Sequence, residues 1–336
     1  MKDFMLSCDW GTSTFRLCLV HTGNGQLSGQ IVTDKGIAAT YNNWKAGFEQ
    51  HGMSQRKYFL SQLQEAIALL SEKCAISLKA LPVIVSGMAC SSIGIKELPY
   101  APVPFLVDGS DAVVQLLAES NVLCNQVWLV SGISNTKDVM RGEETQMIGL
   151  AKSYKNLASE RGAVWVFPGT HSKHLLVQQE RIVDFRTYMT GDLFSLLRHH
   201  SILKESVSEK VNDPVLTTDD RNAFQQGVQQ SGTSDLLHNL FSVRINQLFQ
   251  YVRKEQNFFY LSGLLIGSEL INLLSKDIRC RVLCSGGRLS HLYQLAFKAL
   301  GLWDQTIILP PELVDRAVVD GQIEIFKKQL IEIIKK

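Results

Sequence analysis

The first forty residues alternate between short apolar runs and polar turns. An apolar run over residues 4–8 ends at Asp9, a Gly-Thr turn follows, and a second apolar run covers residues 15–21. The Asn-Gly pair after it is a strong hairpin signal, and an alternating stretch continues through Thr33. The pattern predicts three consecutive strands with a carboxylate at the end of the first. It argues against a Rossmann or Walker-type nucleotide site, because in both the glycine-rich turn after strand one enters a helix.

The following stretch alternates between helical and extended patterns. Apolar residues recur at helical spacing over residues 57–72, and strands are predicted over residues 81–86 and 126–130. Between those strands we predict a helix over residues 111–119, opened by Asp and Ser capping residues. Alternating strands and helices of this kind indicate an α/β domain with a mainly parallel sheet.

A second copy of the opening pattern occurs later in the chain. An apolar run over residues 163–167 leads into a Gly-Thr turn, and extended stretches follow over residues 174–177 and 181–185. This repeat predicts two related α/β domains that face each other across a cleft. We place the domains at residues 1–138 and 139–336, and packing of the last helix against the first domain is an open alternative. Apolar helical patterns and one further strand complete the second half: helices over residues 234–253, 257–274, 290–300 and 315–336, and a strand over residues 281–284.

Composition and charge limit the class of partner. The 336 residues are 45% hydrophobic, enough for one large or two ordinary domains. Thirty-four basic and 32 acidic residues give a net charge of +2, without the basic runs that bind nucleic acid or anionic membranes. The seven cysteines lack a Cys-x-x-Cys pair, as is usual for reduced thiols, and no apolar run approaches a membrane span. We therefore expect a cytoplasmic protein that acts on a small molecule.

The two Gly-Thr turns carry groups that can hold phosphate. Glycine lets the backbone approach closely, amides and hydroxyls donate hydrogen bonds, and the strand-end carboxylate of Asp9 can hold hydrated Mg²⁺. A tight hairpin could use the same residues, but their repetition favours two donor loops that clamp a phosphate. The expected loop residues are Gly11, Thr12, Ser13, Gly169, Thr170, His171, Ser172 and the positively charged Lys173.

Two further segments have both an ordinary and a functional interpretation. Glu143 and Glu144 precede an apolar helical pattern, where acidic residues commonly complement the helix dipole. Alternatively, one of them is the general base that accepts a proton from a substrate hydroxyl as its oxygen attacks the γ-phosphorus. Gly286 and Gly287 follow a predicted strand and suit either a strand-to-helix turn or the close approach of adenine and ribose.

Four sequence elements occur in order along most of the chain. They are Asp9-Trp10-Gly11-Thr12-Ser13-x-x-Arg16, Arg141-Gly142-Glu143-Glu144-Thr145-Gln146, Pro168-Gly169-Thr170-His171-Ser172-Lys173 and Thr190-Gly191-Asp192-Leu193-Phe194. Together they resemble the 2-dehydro-3-deoxygalactonokinase family, for which the third is distinctive. The resemblance implies two ribonuclease-H-like domains of the actin, Hsp70 and sugar-kinase fold. It also implies ATP- and Mg²⁺-dependent phosphorylation of the terminal 6-hydroxyl of 2-dehydro-3-deoxy-D-galactonate in galactonate catabolism.

The resemblance further implies roles for individual residues. Residues 9–13 form the first phosphate loop, with Asp9 near Mg²⁺, and residues 169–173 form the second, with Lys173 among the catalytic groups. Glu143 is the expected base, with Glu144 and Asp192 as alternatives, and Gly286 and Gly287 match the adenosine position. The expected contacts to the sugar acid are Trp10, Arg16, Ser91, Arg141 and Asp192, and Arg186 is a further candidate for binding its carboxylate.

One segment departs from the family pattern. Members usually read Gly-Met-x-Gly-Ser-Arg-x-Gly-Trp, whereas residues 87–95 have Ser92 and Ile95 at the arginine and tryptophan positions. Because arginine suits bidentate carboxylate recognition, the change concerns the sugar more than the phosphoryl transfer. The alternatives are a kinase of a different sugar or sugar acid, a phosphoanhydride hydrolase, and a non-catalytic sugar sensor of the same fold. The oligomeric state stays open, with a homodimer as one option.

Overall fold

The computed structural model describes residues 3–117, 121–157, 162–208, 216–232, 235–274, 278 and 280–335. The strands of these residues are β1 Phe4–Trp10, β2 Phe15–His21, β3 Leu27–Thr33, β4 Val83–Gly87, β5 Ala101–Pro102, β6 Phe105–Leu106, β7 Val114–Leu116, β8 Val127–Val130, β9 Ile133–Ser134, β10 Val139–Met140, β11 Ala163–Phe167, β12 Ser172–Gln178, β13 Arg181–Tyr188, β14 Arg281–Leu283 and β15 Thr306–Ile308. The helices are α1 Ile37–Gly47, α2 Gln55–Cys74, α3 Glu143–Ser153, α4 Thr190–His200, α5 Thr218–Gln230, α6 Leu236–Leu248, α7 Lys254–Leu270, α8 Gly287–Ala299 and α9 Pro311–Lys335. None of the helices in the described ranges is long and apolar enough to span a membrane.

Two sheets share the order of five strands and differ in the position of the sixth, which is β7 beside β8 in one and β6 beside β13 in the other. The first runs β3-β2-β1-β4-β8-β7, and the second runs β15-β14-β11-β12-β13-β6. In the first sheet β1 pairs antiparallel with β2 and parallel with β4. In the second, β11 pairs antiparallel with β12 and parallel with β14. Each sheet therefore begins with an antiparallel hairpin and continues with parallel strands on the other side of its first strand. This topology is that of a ribonuclease-H-like domain, so the predicted α/β class and its duplication are confirmed.

The chain packs as two compact units. The first comprises Met1–Glu160, Gln178–Asp184 and Asp315–Lys336, and the second comprises Arg161–Val177 and Phe185–Val314. These limits differ from a division at residues 138 and 139, and the C-terminal helix belongs to the first unit from Asp315 onward. The domain division and the cleft expected from the sequence stay predictions.

The core of the first unit forms because its central strands are apolar on both faces. Met5 is fully buried on one face of β1, and Leu6 and Cys8 are fully buried on the other. Helix α2 buries Phe59 and Leu63 in the same cluster as Leu6 and Cys8. Helix α2 begins after Ser54, whose hydroxyl accepts a hydrogen bond from the Lys57 amide at 3.4 Å. The sequence thus defines this helix both by its apolar face and by its cap.

Helices α3 and α9 of the first unit touch backbone to backbone at two glycines. A Cβ atom on Gly149 would lie 2.0 Å from the Ala317 carbonyl oxygen, and one on Gly321 would lie 1.9 Å from that of Thr145. Only glycine permits such a close approach. Because α3 carries Glu143 and Glu144 in its first turn, this crossing fixes the position of the acidic helix end.

Several predicted elements need correction. The helix over residues 257–274 ends at Leu270, and the helix over residues 290–300 starts earlier, at Gly287. The helix over residues 111–119 is wrong over its described part, since β7 there pairs antiparallel with β8 and the Asp111 carboxylate accepts from the Leu106 amide in a turn. Residues 118 and 119 lie outside the described residues. The helix over residues 234–253 ends early, at Leu248, because Gln250 adopts a left-handed φ of 57°. Residue 234 also lies outside the described residues. The strand over residues 81–86 starts later, at Val83.

We predict that Gly149→Ala lowers the free energy of unfolding by about 1–3 kcal/mol, because the new methyl group forces α3 away from α9. Chemical denaturation measures the change. Gly47→Ala is the matched control, because a Cβ at this helical glycine would meet nothing within 4 Å. It should not destabilise the protein. Equal stability of the two variants would contradict the close helix crossing.

Candidate active site

In the first unit, the turn between β1 and β2 is held by its own backbone and by the start of α1. The Gly11 amide donates to the Thr14 carbonyl at 2.9 Å, and the Ile37 amide donates to the Gly11 carbonyl at 2.9 Å. The Thr12 and Ser13 side chains are exposed. The predicted phosphate loop is therefore a fixed turn with accessible hydroxyls at its tip.

The Asp9 carboxyl group lies beside this turn at the carboxyl end of β1. Burial raises the pKa of Asp9 to about 6, while Arg16 lowers it and Glu143 raises it further. Two glycines with positive φ, Gly87 (85°) and Gly142 (114°), leave the neighbouring space free of side chains. A Cβ on Gly87 would lie 3.3 Å from the Asp9 Oδ1 atom, and one on Gly142 would lie 3.6 Å from the Gly87 Cα atom. Asp9 and the first turn of α3 therefore meet at one edge of the sheet.

The adjacent carboxylates at the start of α3 have different surroundings. Glu144 is 1% exposed, and both of its oxygens accept from the Gly142 amide, at 2.9 and 2.8 Å. The Thr145 hydroxyl donates to the same carboxylate at 3.0 Å. Glu143 is partly exposed. Of the two carboxylates, Glu143 is therefore the one that a substrate can reach.

Burial and the negative charge of Glu143 raise the pKa of Glu144 to about 8, although the bonds from Gly142 and Thr145 favour ionisation. Between pH 4.5 and 8 the folded protein thus holds a proton that the unfolded chain has released. The contribution of Glu144 to the free energy of unfolding therefore falls as pH rises through this window.

We predict that Glu144→Gln reduces this loss, so that wild type loses more free energy of unfolding between pH 5 and pH 8 than the variant does.

Chemical denaturation at the two pH values measures this difference. Glu312→Gln is the matched control, because Glu312 also lies in the first turn of a helix but is exposed. It should follow the wild-type profile. Parallel profiles for all three proteins would contradict the raised pKa of Glu144.

Three residues expected to bind the sugar acid are engaged inside the first unit. Trp10 is 1% exposed, and its indole N–H donates to the Lys35 carbonyl at 3.1 Å, so no indole surface is left for a ligand. The Ser91 hydroxyl is buried and donates to the Met88 carbonyl at 2.7 Å. Both side chains are therefore engaged within the first unit, and their contact with the sugar acid stays a prediction.

Arg141 is the third of these residues. Its guanidinium stacks over the Tyr100 ring, 3.9 Å from the centroid, and donates to the Tyr100 hydroxyl at 3.1 Å. Further donor contacts reach the Cys90 Sγ atom at 3.1 Å and the Leu98 carbonyl at 3.1 Å. Most of its N–H groups are thus used to hold the surrounding loops. Arg16, by contrast, is partly exposed and donates at 3.3 Å to the Asp315 carbonyl.

The segment that departs from the family pattern divides into a core position and a surface position. Ile95 is 4% exposed and belongs to the hydrophobic core of the first unit. Ser92 is exposed, and the Gln55 side-chain amide donates to its carbonyl at 3.0 Å. The change at Ile95 is therefore a change of core packing, and only Ser92 presents a side chain to solvent.

In the second unit, the Gly-Thr turn between β11 and β12 has exposed and buried parts. Thr170 and His171 are exposed at the tip, where the His171 Nε2 atom lies 3.3 Å from the Asp192 Oδ2 atom. Lys173 is 5% exposed, and its Nζ atom donates to the His171 carbonyl at 2.8 Å. The ammonium group that was expected to bind a phosphate therefore forms a hydrogen bond inside the turn and stabilises it.

A cavity of about 380 Å³ opens beside this turn within the second unit. Its volume is in the range of small-molecule sites. Gly169 and Thr170 form one side, and Arg288 and Leu289 from the first turn of α8 form another. The remaining lining is mainly apolar, with Phe194, Phe258, Leu265, Ile266 and Leu292. Gly286 and Gly287 directly precede Arg288, so the predicted adenosine motif starts the helix at the mouth of this cavity.

The sequence reading missed a buried carboxylate behind this cavity. Glu269 is 2% exposed, and its side chain contacts Thr190, Tyr293 and His174. The signal in the sequence that could have pointed to it is a single charged residue in the helical pattern over residues 257–274. A charged group in such a position needs buried partners.

The first unit has a carboxylate that suits a Mg²⁺ site in which few of the ligands come from the protein. Within the described residues no group of three or more His, Cys, Asp or Glu side chains could hold a metal. Mg²⁺ in phosphoryl-transfer sites is typically bound by one or two carboxylates together with waters and substrate phosphates. Asp9, whose charge interacts with that of Glu143, matches this donor set.

The duplicated ribonuclease-H-like topology gives the actin-like α/β fold. A match to a kinase family over most of the chain, together with curated kinase relatives, gives the class: a phosphotransferase whose acceptor is an alcohol. Residues 9–324 match the family model of 2-keto-3-deoxy-galactonokinase, and the chain belongs to this family. ATP is the phosphoryl donor that such a kinase uses.

Individual relatives agree with this assignment. The chain is 32% identical over 227 residues to the 2-dehydro-3-deoxygalactonokinase of Escherichia coli K12, covering 66% of this chain and 71% of the relative. It is 29% identical over 311 residues to a probable 2-dehydro-3-deoxygalactonokinase of Rhizobium meliloti 1021, covering 89% and 90%. The crystal structure of a Sinorhizobium meliloti protein assigned as a 2-dehydro-3-deoxygalactonokinase superposes with a TM-score of 0.74 at 26% identity, covering 95% and 97%.

Proposed function

We propose that the protein transfers the γ-phosphoryl group of ATP, with Mg²⁺, to the 6-hydroxyl of 2-dehydro-3-deoxy-D-galactonate, a step of galactonate catabolism. The observation that carries the mechanism is the unequal pair at the start of α3, where Glu143 is accessible and Glu144 is buried and hydrogen-bonded. The names of the relatives support the choice of substrate.

Glu143 is the general base in this proposal. It accepts the proton of the acceptor hydroxyl as that oxygen attacks the γ-phosphorus. Glu144 accepts both hydrogen bonds from the Gly142 amide, which starts the helix that carries Glu143. Glu144 is thus a positioning residue for the base.

Each unit carries groups that suit a nucleotide, and we assign them unit by unit. Backbone amides and the hydroxyls of Thr12, Ser13 and Thr170 donate to phosphate oxygens, and the apolar cavity walls take the base. Asp9 would hold Mg²⁺ through water, and the bound cation would neutralise charge on the phosphates. Lys173 contributes by fixing the turn.

Arg16 is the arginine we assign to the substrate carboxylate. It is partly exposed and lies opposite Asp9 in the β1–β2 pairing. Arg141 is committed to Tyr100, Cys90 and Leu98, whereas Arg186 is exposed on β13 of the second unit and stays an alternative. Asp192, paired with His171, stays a candidate for contact with the sugar acid from the second unit.

We predict that ADP formation from ATP and Mg²⁺ depends on 2-keto-3-deoxygalactonate. A coupled assay would compare this acid with its gluconate epimer, with neutral hexoses and with no acceptor. Activity with another sugar alone would keep the phosphotransferase and overturn the substrate. Acceptor-independent ADP formation would favour a hydrolase, and no ADP formation with any acceptor would favour a sugar sensor.

We predict that Glu143→Gln lowers kcat by about 10²–10⁴-fold, the usual contribution of a general base. ATP affinity should stay close to wild type, because the base acts on the acceptor hydroxyl. Steady-state kinetics and ATP titration measure the two effects. Glu312→Gln, the same substitution in the first turn of α9, is the control and should keep full activity. A kcat near the wild-type value would exclude Glu143 as the base.

A further inference from the structure

Glu269 of α7 joins four elements of the second unit through one buried carboxylate. The Thr190 hydroxyl at the start of α4 and the Tyr293 hydroxyl of α8 donate to its Oε2 atom, the latter at 2.7 Å. The Nε2 atom of His174 in β12 lies 2.8 Å from its Oε1 atom. A carboxylate accepts only, so Nε2 carries the proton and donates. Three side chains are thus oriented by one acceptor group.

The network continues from Glu269 to the second Gly-Thr turn. The Tyr293 hydroxyl lies 3.1 Å from the Ser172 Oγ atom, and that oxygen accepts from the Gly169 amide at 3.3 Å. Ser172 is fully buried, so its hydroxyl acts within the protein. The conformation of the turn is therefore tied through Tyr293 to a carboxylate in a neighbouring helix.

The same network determines the shape of the cavity. Thr190 and Tyr293 line the 380 Å³ cavity, whereas Glu269 is not among its lining residues. The carboxylate thus lies behind the wall and holds two wall side chains in place. Burial raises the pKa of Tyr293 well above its usual value, and the negative charge of Glu269 raises it further, so this hydroxyl stays a neutral donor.

Burying a carboxylate costs free energy unless its hydrogen bonds are satisfied. Filling the interface between helices is therefore not a sufficient explanation for this arrangement. An apolar residue would pack there at lower cost. The groups that it orients belong to the turn and the cavity, which the proposed function assigns to the nucleotide.

We propose that Glu269 is a positioning residue for the nucleotide: through Tyr293 and Thr190 it fixes the Gly169–Ser172 turn and the cavity wall in the conformation that binds ATP. Glu269 touches neither substrate. Its effect is on the affinity for ATP, and the acceptor side of the reaction is independent of it. The inference rests on the kinase assignment but not on the identity of the sugar.

Tyr293→Phe tests this link, because it keeps the aromatic ring in the cavity wall and removes only the hydroxyl between Glu269 and Ser172. We predict that the Kd for ATP, titrated without acceptor, rises about three- to tenfold, the effect expected for one hydrogen bond. The KM for ATP should rise in parallel, and the KM for the sugar acid should stay unchanged.

Tyr260→Phe is the matched control. Tyr260 lies in α7, is 3% exposed and donates its hydroxyl to the Gln230 side chain, but it does not line the cavity. It should lower the melting temperature as Tyr293→Phe does and leave the Kd for ATP unchanged. If the two variants lower the melting temperature alike and neither alters the Kd, the network is only structural and the proposal is overturned.

A double-mutant cycle with Ser172→Ala provides a second test. If Tyr293 acts through Ser172, the double variant binds ATP no more weakly than the weaker single variant. Additive losses would contradict the link. The ATP titration needs no acceptor, so its result stands whichever sugar proves to be the substrate. Absence of ATP binding by wild type would contradict both this inference and the kinase assignment.

Discussion

The parallel pairing of β1 with β4 brings the carboxyl ends of two strands together, and the chemistry of the first unit depends on it. The register sets Asp9 beside Ser86 and Trp10 beside Gly87. Sites in open α/β sheets lie beyond such strand ends, because the connecting loops leave room there. Gly87 and Gly142 both adopt positive φ and keep that room free of side chains. The first turn of α3 can then approach Asp9.

The two sheets repeat the order of five strands but differ in the groups that they present at their strand ends. In the first, Asp9 stands two residues before the Gly-Thr turn; in the second, the corresponding position is the buried Phe167. Of these two positions, only the one in the first unit therefore carries a strand-end carboxylate, while the second unit has a mainly apolar cavity. One topology thus supports two different roles, because the strand ends accept different side chains without a change in the sheet.

Two buried glutamates illustrate how polar groups can orient a site without taking part in it. Glu144 is held by the Gly142 amide, and Glu269 by Thr190, Tyr293 and His174. A buried acid with satisfied hydrogen bonds restricts its donors to one geometry. Each of these acids lies one layer behind the groups that the proposed reaction would use.

The sequence by itself determined the duplicated strand pattern, the two Gly-Thr turns and the family. These features are local, since a period of two, a Gly-Thr turn and a short motif can be read without distant contacts. Tertiary structure decided the rest: residues 114–116 form a strand because β8 is available to pair with them. The tertiary structure also decided that Glu144 is buried and Glu143 is accessible. Neighbouring side chains on a helix point about 100° apart, and only packing determines which of them is buried. Trp10 is buried in the core and Glu269 is the centre of a hydrogen-bond network, because burial depends on partners from distant parts of the chain.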